Sequence, residues 1–356
     1  MISSVLEQII IQKIKTNGAI PFDEFMRIAL YEPEFGYYMR KEMKIGREGD
    51  FFTASHLGKV FGIILSKAIT KFWQNLGSPE EFSVTEVGPG MGYLAEDILE
   101  EFEKEGIFLN WDFTYNLVEI NEKLTELQRQ RLKNYKYHVK WYSSIESLAA
   151  LQGIVICNEI FDALPVRIFE VKRGEALEVY LDINQKGELI EILLPARRET
   201  VDYLIEFAPH VLELDSYRSE VNLEMKEFIE KISFALKKGN VLIFDYGFDS
   251  EEYYSPQRTK GTLLCYYKHS INENPYLHIG QQDITAHINF SALKKWSKEA
   301  GFTLEDCTWQ SKFLVSMCDE ALLERLRQEG LIDKFKRLVL PQGMGETHRV
   351  LVLSKF

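Results

Sequence analysis

A chain of 356 residues with 42 Lys+Arg against 54 Asp+Glu, a net charge of −12, is long enough for a sizeable core and too acidic for a nucleic-acid scaffold, whose binding face would cluster its cations. Its 46% hydrophobic and 27% charged residues are those of an ordinary globule, and no run approaches the roughly 18 uninterrupted apolar residues of a membrane span. The cysteines Cys157, Cys265, Cys307 and Cys318 lie far apart without a C-x-x-C pair, so neither a zinc knuckle nor a disulfide framework is indicated and a reducing compartment is expected.

The first residues, Met1 to Ile14, set apolar side chains at helical spacing among Glu and Gln. They read as an amphipathic core helix and lack the marks of a signal peptide or presequence, so a cytoplasmic protein is the expectation. Residues 1–75 read as a helical region with turns at Pro21 and Pro33, an aromatic cluster from Tyr31 to Tyr38, and then Gly49-Asp50-Phe51. Apolar runs at Phe82–Val87, Phe113–Val118, Ile154–Cys157 and Val241–Phe244 read as buried parallel strands, which gives an α/β core over residues 76–165 and 239–356. Residues 166–238 form an insertion. Within it, alternation from Val166 to Pro195 around Lys172-Arg173-Gly174 and Asn184 to Gly187 predicts hairpins, and a helix over Val221–Leu236 is capped by Gly239. A second excursion, 247–285, precedes a helix over Ser291–Ala300. Strands at Leu304–Trp309 and Arg349–Ser354 then flank a charged helix from Glu320 to Leu338.

The chemistry concentrates where the first of those strands ends. Gly88, Gly90 and Gly92 remove side chains where strand turns into helix, which lets backbone N–H groups and a helix N-terminus face a ligand. Gly90-Met-Gly92-Tyr-Leu-Ala95 also meets the looser dinucleotide fingerprint, so the glycines alone do not choose the cofactor. The acids narrow the choice. Glu86, Glu119, Glu159 and Asp245 stand at or near the C-terminal ends of the four strands, where open α/β sheets bind ligands. Such a rim suits the sulfonium, ammonium and ribose hydroxyls of S-adenosyl-L-methionine better than a pyrophosphate. Glu86 is assigned to the amino group and Glu119 to the ribose, with Asp50 as a loop acid near donor or substrate.

Asn158-Glu159-Ile-Phe-Asp162 is the catalytic candidate, because Glu159 and Asp162 are three apart and would share a face in a turn or helix start. The competing reading has Asn158 and Asp162 cap a helix. Asp97 and Asp245 serve a ligand or the fold equally well. His269, His278, Asp283 and His287 match no zinc or iron spacing, so no metal is expected.

Taken in order, several segments resemble the MidA family of class I, S-adenosyl-L-methionine-dependent methyltransferases. They are Ile20 to Met26, Gly49 to Thr53 with Phe61-Gly62, Glu86 to Gly92, Leu117-Val-Glu119, Asn158 to Pro165, Asp245-Tyr-Gly247, Gly261-Thr-Leu263, Asp283 to His287 and Met344-Gly-Glu346. The resemblance covers nearly the whole chain. It implies a Rossmann-like class I methyltransferase core with an N-terminal helical region and two insertions. Mitochondrial members are complex I assembly factors that methylate a protein arginine, so it also implies a protein substrate, a subunit of respiratory complex I. Two positions depart from the family pattern: Ser55-His56 stand where Pro and an acid are usual, and His348 stands where an aromatic is usual. No nucleic acid and no membrane insertion are expected, and a homodimer is left open. Two other readings stay open: a methyltransferase for another protein nitrogen, a carboxylate or a small molecule, and an assembly chaperone that uses the fold to bind a partner.

Overall fold

The computed structural model describes residues 2–40, 59–107, 112–340 and 345–356. They fall into two compact units, one of Ile45–Ile160, Phe228–Tyr246 and Trp296–Phe356, the other of Met1–Lys44, Phe161–Glu227 and Gly247–Lys295.

Helices α1 (Ile2–Asn17) and α2 (Phe22–Tyr31) bracket a short strand, β1 (Ile20–Pro21), and α3 (Val60–Asn75) follows. Strand and helix then alternate through β2 (Glu81–Val87), α4 (Tyr93–Lys104), β3 (Asp112–Val118), α5 (Glu122–Arg131), β4 (Val139–Tyr142) and β5 (Leu151–Asn158). Next come β6 (Arg167–Lys172), β7 (Glu175–Ile183), β8 (Leu189–Pro195), α6 (Arg198–Phe207), β9 (Ser216–Val221), α7 (Glu224–Ala235) and β10 (Leu236–Phe248). The remaining elements are α8 (Ser250–Tyr253), β11 (Leu264–Tyr267), β12 (Ser270–Asn272), β13 (Asp283–Thr285), β14 (Ile288–Asn289), α9 (Phe290–Glu299), β15 (Thr303–Trp309), α10 (Gln310–Ser316), α11 (Glu320–Gln328), α12 (Ile332–Val339) and β16 (His348–Lys355). Among the described residues, no helix is long and apolar enough to cross a membrane.

The unit that contains the glycine loop is built on one sheet in the order β15-β16-β10-β5-β2-β3-β4. Strands β10, β5, β2, β3 and β4 are parallel, and β16 runs antiparallel to both β10 and β15. The order reverses between β2 and β5, the switch point at which α/β sheets open a crevice. Alternate residues of these strands, including Val84, Tyr115, Ile156, Phe244 and Val350, bury one face with Phe61 of α3 and Phe313 of α10. The strand runs expected from sequence are all present; β5 and β10 are apolar on both faces, while the second face of β2 and β3 carries Thr85 and Asn116, buried and paired at 3.1 Å.

The other unit has its own core. Leu6, Ile10 and Ile14 of α1 and Phe22, Phe25 and Met26 of α2 pack with Ile168 and Leu181 of the sheet β1-β7-β6-β9, whose strand β7 also pairs with β8. Glu220 is buried there, its carboxylate accepting the backbone N–H groups of Thr262 at 2.9 Å and Leu263 at 3.0 Å.

Three local expectations are corrected. Gly239 does not cap a helix but lies inside β10. The helix expected over Val221–Leu236 begins at Glu224, after β9, and the charged helix over Glu320–Leu338 is two helices parted at Gly330, where φ is +68°. Gly239 is required by close approach. A Cβ on it would lie 1.8 Å from the carbonyl oxygen of Gly153, and one on Gly153 would lie 1.9 Å from that of Ser83. Backbone fills the space a methyl group would need. Gly153→Ala is expected to destabilise the protein by about 2–3 kcal/mol, read as a lower urea midpoint; an unchanged midpoint would refute the close approach.

Candidate functional site

Between β2 and α4 the chain turns through Gly88-Pro89-Gly90-Met91-Gly92, with φ of +63°, +53° and +75° at the three glycines. At Gly88 the space is as decisive as the dihedral, since a Cβ there would sit 2.3 Å from Cδ1 of Ile160. Helix α5 holds the loop from outside. Gln128 Nε2 donates to the carbonyl of Gly90 at 2.7 Å and to Glu119 Oε2 at 3.1 Å, while its Oε1 accepts from Trp141 Nε1 at 3.1 Å. One turn on, Arg131 Nε donates to the carbonyl of Met91 at 2.9 Å, and its guanidinium lies 3.9 Å from the centre of the Tyr93 ring. Asn121 caps α5 through Lys123 N–H at 3.0 Å, and its own N–H donates to Glu119 Oε1 at 2.8 Å. Two protein amides thus orient Glu119 at the end of β3.

Among the described residues, neither Glu86 nor Glu119 has a cationic partner. Glu86 is 3% exposed, and burial pushes its carboxyl up to about 7 despite the Tyr115 hydroxyl that donates to it at 2.8 Å; Asp97 and Glu119 add repulsion. Burial likewise raises Glu119 to about 7, opposed by the N–H of Asn121 and the amide of Gln128. Burial also raises Asp97 to about 7, although Lys59 opposes it. A cationic ligand relieves all three at once. The residues therefore fit S-adenosyl-L-methionine: glycines in place of side chains along its path, Glu119 with acceptor sites for ribose hydroxyls, and carboxylates for an ammonium and a sulfonium.

Next along the same rim, Asn158 ends β5 opposite Phe244 of β10, and Glu159 leaves the strand at φ +54°, its N–H donating to the carbonyl of Phe244 at 2.8 Å. Left-handed backbone at a non-glycine residue costs about 1–3 kcal/mol and gathers at functional sites. His348, at the start of β16, brings Nε2 to 3.7 Å from Glu159 Oε1. Its Nδ1 lies 2.9 Å from Thr347 Oγ1, and its ring packs edge-on to Tyr246 with centroids 5.5 Å apart. Burial lowers its pKa to about 4, so it is neutral at physiological pH.

Of the turn or helix start expected to carry Glu159 and Asp162, the structure has the turn, since residues 159–165 make a bend and a turn. Asp162 belongs to the other compact unit, where it is buried and its carbonyl accepts the N–H of Ala286 at 3.0 Å. In that unit Tyr38 donates to Asp283 Oδ1 at 2.6 Å and Tyr31 to the carbonyl of Ala163 at 3.0 Å. Burial and then the charges of Asp283 and Asp162 push the Tyr31 hydroxyl up. Asp50 lies outside the described residues, as do Phe51, Thr53, Ser55, His56 and Met344. Asp245, expected at a strand end, lies inside β10, which runs on to Phe248; it is fully buried and accepts the N–H of Tyr246 at 2.9 Å. His278 stacks on Tyr267 at 3.9 Å and the N–H of His287 donates to Thr262 Oγ1 at 3.0 Å. Among the described residues no group of three or more His, Cys, Asp or Glu is placed to hold a metal.

Sequence reasoning passed over Gln128, Arg131, Tyr115 and Ile160. Gln128 and Arg131 are three apart on the helix that follows Glu119, so that spacing could have found them. Tyr115 and Ile160 gave no signal, being ordinary apolar positions in their runs.

The model of a family described as S-adenosyl-L-methionine-dependent methyltransferases matches residues 64–308. The mitochondrial protein arginine methyltransferase NDUFAF7 of Bos taurus is 29% identical over 97% of this chain and 82% of its own length. Its homolog in Drosophila melanogaster is 28% identical over 96% and 83%. A protein of Burkholderia thailandensis, crystallised bound to S-adenosyl-homocysteine, is 29% identical, covers 99% of this chain and 92% of its own, and superposes with a TM-score of 0.89.

Two outcomes follow from the acids. Glu119→Gln is expected to weaken S-adenosyl-homocysteine binding by about tenfold or more, the loss of a charged hydrogen bond of about 1.5–3 kcal/mol; equal affinity in calorimetry would remove Glu119 from the ribose. With the folded pKa of Glu86 and Glu119 raised from 4.5 to about 7, the unliganded protein favours the protonated forms. Its stability therefore falls as pH rises from 4.5 through about 7, while ligand affinity rises over the same span and levels off above about 7 with proton release on binding. Affinity that is flat from pH 5.5 to 8 would show that neither carboxylate ionises for the ligand.

Proposed function

This chain belongs to the family of S-adenosyl-L-methionine-dependent methyltransferases that its residues 64–308 match, and from that premise we propose that it methylates an arginine of a protein substrate. The observation that carries this is Glu159, a largely buried carboxylate in left-handed backbone, one residue before the Ile160 side chain that lies against Gly88 of the glycine loop. A negative charge fixed at that point suits an acceptor that arrives as a cation. The relatives from cattle and fruit fly, both named protein arginine methyltransferases, support the same reading.

A guanidinium has a pKa above 12 and stays charged. Burying it near a second cation costs several kcal/mol unless carboxylates compensate. A charged hydrogen bond to Glu159 returns about 1.5–3 kcal/mol of that cost. When bound, S-adenosyl-L-methionine supplies an electrophilic methyl carbon on a sulfonium. The protein's own part is to hold the acceptor nitrogen in line with that carbon, and orientation of this kind lowers a barrier by about 7–11 kcal/mol. Glu159 grips the acceptor, Asn158 offers a neutral acceptor oxygen beside it, and Glu86 and Glu119 seat the donor. No covalent enzyme intermediate is needed.

The family resemblance suggests a subunit of respiratory complex I as the protein substrate, and the scattered cysteines fit our expectation of a cytoplasmic setting. Incubating the protein with labelled methyl donor and lysate of the matching cells is expected to label a protein on arginine, located by mass mapping. Glu159→Gln is expected to reduce incorporation by about a hundredfold or more while S-adenosyl-homocysteine binding is retained. Label on lysine, on a carboxylate or on a small molecule would refute the arginine assignment. Wild-type incorporation by Glu159→Gln would refute the role of Glu159.

A further inference from the structure

Buried polar atoms without a hydrogen-bond partner are scarce in folded proteins, and each asks for an explanation. Two of them, Asn158 Oδ1 and His348 Nε2, stand at the same rim of the same sheet. Asn158 pairs with Phe244, Phe244 with Val350, and Tyr246 with His348, so the side chains of Asn158, Phe244, Tyr246 and His348 share one face. Glu86, which pairs with Ile156 two residues before Asn158, belongs to that face as well. Both atoms therefore lie on the side of the sheet where Glu86 waits for the donor.

The imidazole is more informative than the amide. His348 is buried and neutral, so one ring nitrogen carries hydrogen and the other a bare lone pair. Nδ1 has a partner in the Thr347 hydroxyl at 2.9 Å, whereas Nε2 faces Glu159 Oε1 at 3.7 Å, outside hydrogen-bond reach. Thr347 Oγ1 can accept from Nδ1–H or donate to a bare Nδ1, and with the hydrogen on Nδ1 the Nε2 lone pair faces the carboxylate of Glu159. One nitrogen bearing two N–H groups can serve both.

Resting on the methyltransferase reading above, we propose that His348 Nε2 takes up the proton released by the nitrogen being methylated, while Glu159 and Asn158 hold the remaining N–H groups. The balance is simple. The acceptor nitrogen's lone pair forms the bond to the methyl carbon, the carbon–sulfur bond breaks with its electron pair going to sulfur, and the N–H proton passes to Nε2. The imidazolium so formed lies beside the carboxylate of Glu159, with the Tyr246 ring against it, and returns the proton to solvent after product leaves. A histidine that stays neutral until then is never protonated too early, and a freshly methylated cationic nitrogen is acidic enough to give its proton to a weak base.

Nitrogen-15 NMR of histidine-labelled protein with S-adenosyl-homocysteine bound tests the resting state: hydrogen is expected on Nδ1 of His348, with Nε2 bare from pH 6 to 8. Hydrogen on Nε2 would overturn the proposal. In the lysate assay with labelled donor, His348→Gln keeps a hydrogen-bond acceptor but cannot take up a proton. It is expected to lower incorporation by about a hundredfold, with melting temperature and S-adenosyl-homocysteine affinity unchanged, and His348→Phe to lower it at least as much. Equal incorporation by wild type and His348→Gln would remove the proton-accepting role alone. Absence of label with wild type would remove the transfer reading and this proposal with it. Label on a lysine would overturn the proposal, because a methylated ammonium keeps its protons at neutral pH and gives none to so weak a base.

Discussion

Two carboxyl groups, Glu86 and Glu119, buried at the ends of β2 and β3 with no cationic partner among the described residues, are the constraint on which this site depends. Glu86 feels the charges of Asp97 and Glu119, and burial drives all three acids toward their neutral forms. A fold that only needed stability would have matched them with Arg or Lys, as α4 does elsewhere: Glu101, 1% exposed, is gripped by Arg325 at 2.7 and 2.9 Å. The contrast separates two uses of a buried acid. At Glu101 the cation is part of the protein; at Glu86 and Glu119, on the reading proposed above, it arrives with the ligand.

The remaining architecture serves to hold that arrangement still. Parallel strands end together, and the order reverses between β2 and β5 beside the glycine loop, the position where such sheets bind ligands. Ile160 rests against Gly88, so the segment that carries Glu159 is located by the loop that receives the donor. Methyl transfer requires that acceptor and donor be placed to a fraction of an ångström, and a direct packing contact between their two supports is an economical way to achieve it.

Much of this was legible in the residues, and the reasons for the gaps are physical. The β2, β3, β5 and β10 runs stand out because strands buried on both faces are mostly apolar. Val139 to Tyr142 and Ser216 to Val221 do not, since their burial is partial or mixed and their strand state follows from their neighbours. Gly239 looked like a helix cap because the residues before it are helical, while the reason for glycine there is the carbonyl of Gly153 on another strand. At the site, Glu86, Glu119 and the glycines could be read from position at strand ends. The pairing of Glu159 with His348 could not, because the two are 189 positions apart and meet only through the β10 and β16 ladder. The turn at Glu159 to Asp162 was within the expectation, but its left-handed backbone at Glu159 was not, because local propensity does not foresee it.

One amide group has a wider reach than its size suggests. Gln128 Nε2 touches both the carboxylate that ends β3 and the carbonyl of Gly90, so a single amide joins the two. On the proposed reading, in which Glu119 meets the ribose and the loop the amino-acid end, a ligand contact at either place acts on the same amide. The free energies of the two fragments are then not independent, and whatever one does to the affinity of the other is returned in equal measure.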